Sequence, residues 1–81
     1  MREPPRLLPL PAKPTPSLLR YMSRTAAEDA RADARAGDYH LYQMMGKIHD
    51  SGRMHGDAWI CYMQAYEAEL ERLRWGGPRS G

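Results

Sequence analysis

Three histidines and one cysteine are the residues of this 81-residue chain that could hold a metal ion or act as nucleophile and base. His49, His55 and Cys61 follow one another in the second half, and His40 precedes them. No two of them have the spacing of roughly two to four residues that brings zinc ligands together. A Cys–His nucleophile also needs an oxyanion site and a cleft that excludes water. We therefore predict no metal, no cofactor and no enzymatic activity.

The segment from Asp50 to Asp57 lies between two helical patterns and invites comparison with a calcium-binding loop. Counted from Asp50, the third and fifth positions are Gly52 and Met54, and the twelfth is Cys61. A calcium loop has oxygen ligands at the third and fifth positions and glutamate at the twelfth. Only the first position fits, so calcium binding by this loop is excluded.

Two runs of apolar and small residues, spaced alternately three and four apart, lie on either side of that loop. This spacing keeps one face of a helix towards a partner helix. The first run is Ala27, Ala30, Ala34, Gly37, Leu41, Met44 and Ile48, and the second is Trp59, Met63, Tyr66, Leu70 and Leu73. When the second run is reversed against the first, its largest residues fall opposite the smallest. The pattern predicts an antiparallel helical hairpin.

We expect an all-α fold in which residues 17–75 form a helical domain. The predicted elements are a short helix 17–23 and long helices 25–50 and 57–75. Thr25 and Glu28 match a capping box, and Asp57 can cap the last helix. Gly37 leaves two interpretations open. The one we favour is a continuous helix with close backbone approach at the glycine; the other is a break, with Asp38 capping a new helix.

The N-terminal segment is rich in proline and basic. Six of the seven prolines lie between Pro4 and Pro16, and proline lacks an amide hydrogen and restricts the backbone. We predict an extended or disordered arm over residues 1–16 and a flexible tail over residues 76–81. Residues 1–24 contain five basic side chains and one acidic, whereas the remainder contains seven and nine. Arg6, Lys13 and Arg20 are expected to add electrostatic steering to the docking of this protein on its partner.

A second stripe beside the main seam is rich in tyrosine, methionine and small residues, which are typical of interfaces. We predict it as a partner or dimer interface, with these candidate residues: Tyr39, Tyr42, Met45, His49, Cys61, Tyr62 and Ala65. Three alternatives for what covers this stripe are left open: the short helix as a lid, a second copy in a four-helix bundle, or another protein. Because so short a chain buries little core, we expect a homodimer.

The function that these patterns favour is non-enzymatic. A single cysteine suits a reducing compartment, and no apolar stretch approaches the roughly 20 residues that span a bilayer, so we expect a cytoplasmic protein without a membrane partner. We predict a small adaptor or inhibitor that docks on a larger protein, a class common among mobile genetic elements. The alternative is a nucleic-acid-associated dimer that binds weakly, and in a salt-dependent manner, through its basic arm.

Overall fold

The computed structural model describes residues 14–77, in which three α-helices pack against one another. Helix α1 spans Pro16–Ala36, α2 spans His40–Asp50 and α3 spans Gly56–Leu73. Residues 14–77 contain no strand, which confirms the predicted all-α class. None of the three helices is long and apolar enough to cross a membrane. The predicted arm and tail lie largely outside the described residues.

Helix α1 begins earlier than predicted and is continuous through the expected junction of two helices. The Thr15 side chain caps it, since its Oγ1 accepts a hydrogen bond from the Leu18 amide at 3.1 Å, and Pro16 occupies the first turn. The separate short helix 17–23 and the helix start at Thr25 were wrong. No glycine or proline interrupts this stretch, and the apolar face continues from Met22 to Ala30, so the helix has no reason to stop.

Helix α1 ends at Gly37, and the favoured interpretation of a continuous helix 25–50 was therefore wrong. Gly37 adopts a left-handed conformation with φ of 74°, which glycine tolerates without the Cβ clash that other residues meet. The amides of Gly37 and Asp38 both donate to the Asp33 carbonyl oxygen, at 2.8 and 3.1 Å, as in a Schellman ending. The alternative break is confirmed, although Tyr39 and not Asp38 is the N-cap residue of α2.

Helices α1 and α3 form the main packed pair, and they run parallel. The Tyr62 hydroxyl donates to Asp29, and one turn later along both helices the Tyr66 hydroxyl donates to Asp33. Residue numbers therefore rise together along the two helices. The predicted antiparallel packing of the α1 residues against α3 was wrong. Because α1 ends at Gly37, the helix that follows carries the chain back in the opposite direction before α3 begins.

Helix α2 is the element that runs antiparallel to α3. The Tyr42 ring lies 4.8 Å from that of Tyr66, and the His49 ring stacks 5.3 Å from that of Trp59, so residue numbers fall on α3 as they rise on α2. The antiparallel prediction holds for this pair only.

The face of α2 that meets α3 is not the predicted seam. Met44 and Ile48, which belong to the predicted seam, are 49% and 42% exposed. Because α2 begins anew after Gly37, its rotation is independent of α1, and it turns its tyrosines inwards. The buried core consists of Met22, Ala26, Ala30, Asp33, Ala58, Tyr62 and Tyr66.

Helix α3 begins and ends slightly differently from the prediction. Its N-cap is His55, whose Nδ1 accepts a hydrogen bond from the Asp57 amide at 3.0 Å. Asp57 thus lies in the first turn and does not cap the helix, although its charge still suits the positive end of the helix dipole. The helix ends at Leu73 rather than residue 75, because Arg74 takes a left-handed conformation with φ of 56°.

Candidate functional site

The polar centre of the molecule is the carboxylate of Asp33, which is only 2% exposed. Its Oδ1 accepts the Leu41 amide at 3.1 Å, and its Oδ2 accepts the Tyr42 amide at 3.2 Å and the Tyr66 hydroxyl at 2.8 Å. These amides are free donors in the first turn of α2, whose own N-cap residue offers no side-chain bond. Asp33 therefore caps α2 from α1 while it binds α3.

Tyr62 and Tyr66 complete two matched aspartate–tyrosine pairs between α1 and α3. The Tyr62 hydroxyl lies 2.6 Å from Asp29 Oδ2, and the Tyr66 hydroxyl bonds Asp33. Burial raises the pKa of both phenols far above the ordinary value, and the hydrogen bonds to the two carboxylates raise it further. Both tyrosines are thus neutral donors at neutral pH.

Sequence reasoning missed Asp33, but two signals for it exist. An aspartate in the last turn of a helix is disfavoured by the negative end of the helix dipole, which indicates a partner elsewhere. The four-residue spacing from Asp29 to Asp33 also matches that from Tyr62 to Tyr66. Equal spacing allows both pairs to form at once, and it fits parallel and antiparallel helices alike.

The α3 part of the predicted interface is covered by α1. Tyr62 is fully buried, so a second protein has no access to it in the folded monomer. Cys61 Sγ lies 3.0 Å from Ser23 Oγ and donates to the Leu19 carbonyl oxygen at 3.5 Å. Ala65 is partly buried against the core. Of the three predicted coverings, the N-terminal segment of the same chain is the one that this structure contains.

The α2 part of the predicted interface is half-buried and packs inwards. Tyr39, Tyr42 and Met45 contact the core cluster, and His49 stacks on Trp59. Within the described chain, Tyr42 of this stripe meets Tyr62, whereas Cys61 contacts Ser23 and Leu19 of α1. Of the predicted electrostatic arm, Arg20 is exposed on α1, where its guanidinium lies 3.4 Å from Ser17 Oγ. The other two residues of this predicted arm, Arg6 and Lys13, lie outside residues 14–77.

The outward face of α2 carries the exposed apolar residues Met44 and Ile48, one helical turn apart. No residue of α2 is fully buried. The helix is held by Asp33 at its N-terminus and by aromatic contacts on its inner side, for example the Trp59–Tyr42 contact at 5.4 Å. We call Met44 and Ile48 the outer face of α2.

A cleft of about 380 Å³ lies at the end of the molecule where α1 and α3 both end. It is lined by Arg31, Ala34, Arg35, Leu73, Arg74 and Trp75, and we call it the basic cleft. Arg31 lies 3.5 Å from the carboxylate of Glu69, which also accepts a hydrogen bond from Arg72 Nε at 3.0 Å. The hydrogen bond from Arg72 is the main cause that lowers the pKa of Glu69, and the charge of Arg31 lowers it further. The Glu69 carboxyl group is therefore ionised.

A second, smaller cleft of about 220 Å³ lies between α2 and α3. Its lining is Tyr39, Tyr42, Tyr66, Glu67 and Leu70. Burial raises the pKa of Tyr42, and the negative charge of Glu67 raises it further. The cleft therefore offers the Glu67 carboxylate and the neutral phenols of Tyr42 and Tyr66, with no cationic side chain in its lining.

Residues 14–77 contain no candidate metal centre, and the comparisons with known proteins found no match. Among residues 14–77, no group of three or more histidine, cysteine, aspartate or glutamate side chains lies together as metal ligands would. No protein-family model, curated protein or solved structure matches the chain. Two surfaces of the described residues offer contact sites, the outer face of α2 and the basic cleft.

Proposed function

We propose that this protein is a small non-enzymatic interaction module, an adaptor or inhibitor that docks on a larger protein through the outer face of α2. The observation that carries the proposal is the exposure of Met44 and Ile48 on one face of a helix that has no fully buried residue. Two such side chains one turn apart are the usual anchors of an amphipathic helix in an apolar groove. Their complete burial would contribute about 2 kcal/mol to binding.

The buried polar groups support a non-enzymatic role. The paired aspartates and tyrosines are the chemically conspicuous side chains, yet Tyr62 is inaccessible and Asp33 is almost so. Within residues 14–77, every buried side-chain nitrogen or oxygen atom has a hydrogen-bond partner. Groups that are buried and satisfied in this way stabilise the fold and have no access to a substrate.

The proposal is tested by affinity capture from the native cell with the tagged full chain. Met44→Glu combined with Ile48→Glu should abolish recovery of the partner, because charges on this face oppose burial in an apolar groove. Gln43→Glu combined with Lys47→Glu is the matched control, since both residues are exposed on the same helix. Circular dichroism should show that both variants keep their helices. Equal recovery of the same partner with both double variants would refute docking through this face.

Nucleic-acid binding through the basic arm is an alternative outcome of the same capture experiment. It would appear as recovery that is lost after nuclease treatment or at elevated salt, since phosphate contacts release counterions. Recovery that survives both treatments supports a protein partner.

A homodimer in the cytoplasm remains part of the proposal. A second copy would cover the outer face of α2 in the same way as a larger partner. Sedimentation of the purified chain at high micromolar concentration decides between them. A dimer that Met44→Glu dissociates would assign this face to self-association, whereas a monomer leaves it for the larger protein.

A further inference from the structure

The basic cleft contains more positive charge than its neighbours neutralise. Glu69 is shared between Arg31 and Arg72. Within residues 14–77, the guanidinium groups of Arg35 and Arg74 have no ion-pair partner. Both lie at helix ends, where the carbonyl groups of α1 and α3 favour cations. The dipoles account for cations at these ends, but not for the convergence of three guanidinium groups on one cleft.

The backbone at Arg74 is a second, independent observation. Arg74 is the one non-glycine residue among residues 14–77 with a positive φ. Glycine is the usual residue at such a helix ending, because a side chain in the left-handed conformation clashes with the backbone. An arginine in this conformation that also lines the cleft indicates a use for its charge.

The remaining lining of the cleft is apolar. Leu73 is 38% exposed, and Ala34 lies beside it in the lining. Trp75 is held in place by an edge-to-face contact with Tyr39, with ring centroids 5.1 Å apart. Tryptophan and arginine are the residue types most often responsible for binding energy at protein interfaces.

We propose that the basic cleft binds a short acidic peptide segment in which one apolar side chain lies beside the carboxylates. The carboxylates would pair with Arg35 and Arg74, whose planar guanidinium groups match carboxylate geometry, and the apolar side chain would contact Leu73 and Trp75. The segment belongs to another protein, so this inference rests on the proposed function and adds a second contact site to it.

A peptide fits the surroundings of the cleft better than a nucleic-acid strand does. Glu71 is exposed on α3, the helix that forms one side of the cleft, and Glu67 lies on the same helix in the lining of the smaller cleft. A strand with a phosphate at every nucleotide would extend beyond the cleft and meet these carboxylates. A short peptide places its negative charges only where the arginines are.

The two tryptophans of the chain provide the readout for a test by nuclear magnetic resonance. The Trp75 indole reports on the basic cleft, and the Trp59 indole, which stacks on His49 and Tyr62, serves as an internal control. The full chain is titrated at low salt with the peptide Glu-Asp-Leu-Asp-Glu, with its amide analogue Gln-Asn-Leu-Asn-Gln, and with a short oligothymidylate. We expect the acidic peptide to shift the Trp75 signal, to leave the Trp59 signal unchanged, and to bind more tightly than the other two probes.

Matched variants assign the binding to the cleft. Arg35→Gln and Arg74→Asn should each weaken binding of the acidic peptide about tenfold, the effect of losing a hydrogen bond between charged groups. Asparagine is chosen at Arg74 because it tolerates the left-handed backbone. Arg53→Gln, which removes the same charge from the loop between α2 and α3, should leave binding unchanged.

Three results would overturn the inference: no shift of the Trp75 signal, equal binding of the amide analogue, or tighter binding of oligothymidylate. Its failure is distinguishable from failure of the proposed function. Capture that depends on Met44 and Ile48 but not on Arg35 and Arg74 would refute only the cleft. Peptide binding without any effect of the Met44 and Ile48 variants on capture would refute only the outer face of α2.

Discussion

At the scale of single residues, Asp33 connects all three helices. It belongs to the last turn of α1, caps the first turn of α2 and accepts the Tyr66 hydroxyl of α3. A carboxylate is suited to this position because it only accepts hydrogen bonds, and all three of its partners donate. The cost of burying its charge is offset by these bonds.

Replacement of Asp33 by asparagine should lower the free energy of unfolding by about 3 kcal/mol, because the amide group turns a donor towards donors and removes the charge. Urea or thermal denaturation measures the loss. Asp38→Asn is the matched control: Asp38 is exposed, and its side chain bonds only the adjacent Tyr39 amide at 2.7 Å. If both variants lost the same stability, the connecting role of Asp33 would be refuted.

At the scale of helices, two left-handed residues decide where α1 and α3 end. Gly37 ends α1 and allows the chain to reverse within three residues, whereas Arg74 ends α3. The heptad pattern continues through Gly37 without interruption, and for this reason it predicted one long helix. The spacing of apolar residues does not show whether a helix continues through a glycine. A new helix that begins a few residues later can keep the same spacing while its apolar side faces another direction.

Gly37→Ala should destabilise the protein by about 1 kcal/mol, because alanine resists the left-handed conformation. A Cβ at Gly37 would meet no atom within 4 Å beyond its neighbours in the chain, so the cost comes from the backbone conformation alone. Gly56 also has open space but no positive φ. Gly56→Ala should therefore leave the stability unchanged or raise it slightly. Thermal denaturation of the two variants measures the difference, and equal effects would contradict the argument.

At the scale of the whole molecule, α1 and α3 lie parallel with small residues between them. Ala26, Ala30 and Ala58 are almost completely buried beside the rings of Tyr62 and Tyr66. Small residues thus lie against large ones, but only Ala30 and Tyr66 belong to the two predicted runs, and the helices run parallel. Close approach of the helices brings the tyrosine hydroxyl groups within reach of Asp29 and Asp33.

Ala30→Leu should reduce stability by about 2 kcal/mol, because extra methylene groups in a close-packed core force the helices apart. Ala36→Leu introduces the same side chain at an exposed position of α1 and should have little effect. Chemical denaturation compares the two. A fully stable Ala30→Leu variant would show that the interface of α1 and α3 is not close-packed.

Composition and periodicity predicted the all-α class, the break point as one of two alternatives, and the approximate region of the last helix. They also placed Tyr42 and Tyr62 on one stripe, and the two rings meet in the structure, although the stripe was predicted as an interface with another chain. The candidate surfaces were not predicted in the same way. Arg31 and Arg35 lie one turn apart on α1, but Arg74 is distant in sequence, and no spacing rule relates it to residues that it meets only because α1 and α3 run parallel.

By itself, the sequence determined that these residues form helices, since apolar spacing and helix-breaking residues act within one or two turns. Only the tertiary structure decided which helix faces which, and in what direction. That choice depends on buried side chains far apart in the chain, chiefly the two aspartate–tyrosine pairs and the bond from Asp33 to the start of α2. Local patterns contain no information on these long-range contacts, because the same amphipathic helices can bury their apolar faces in either direction.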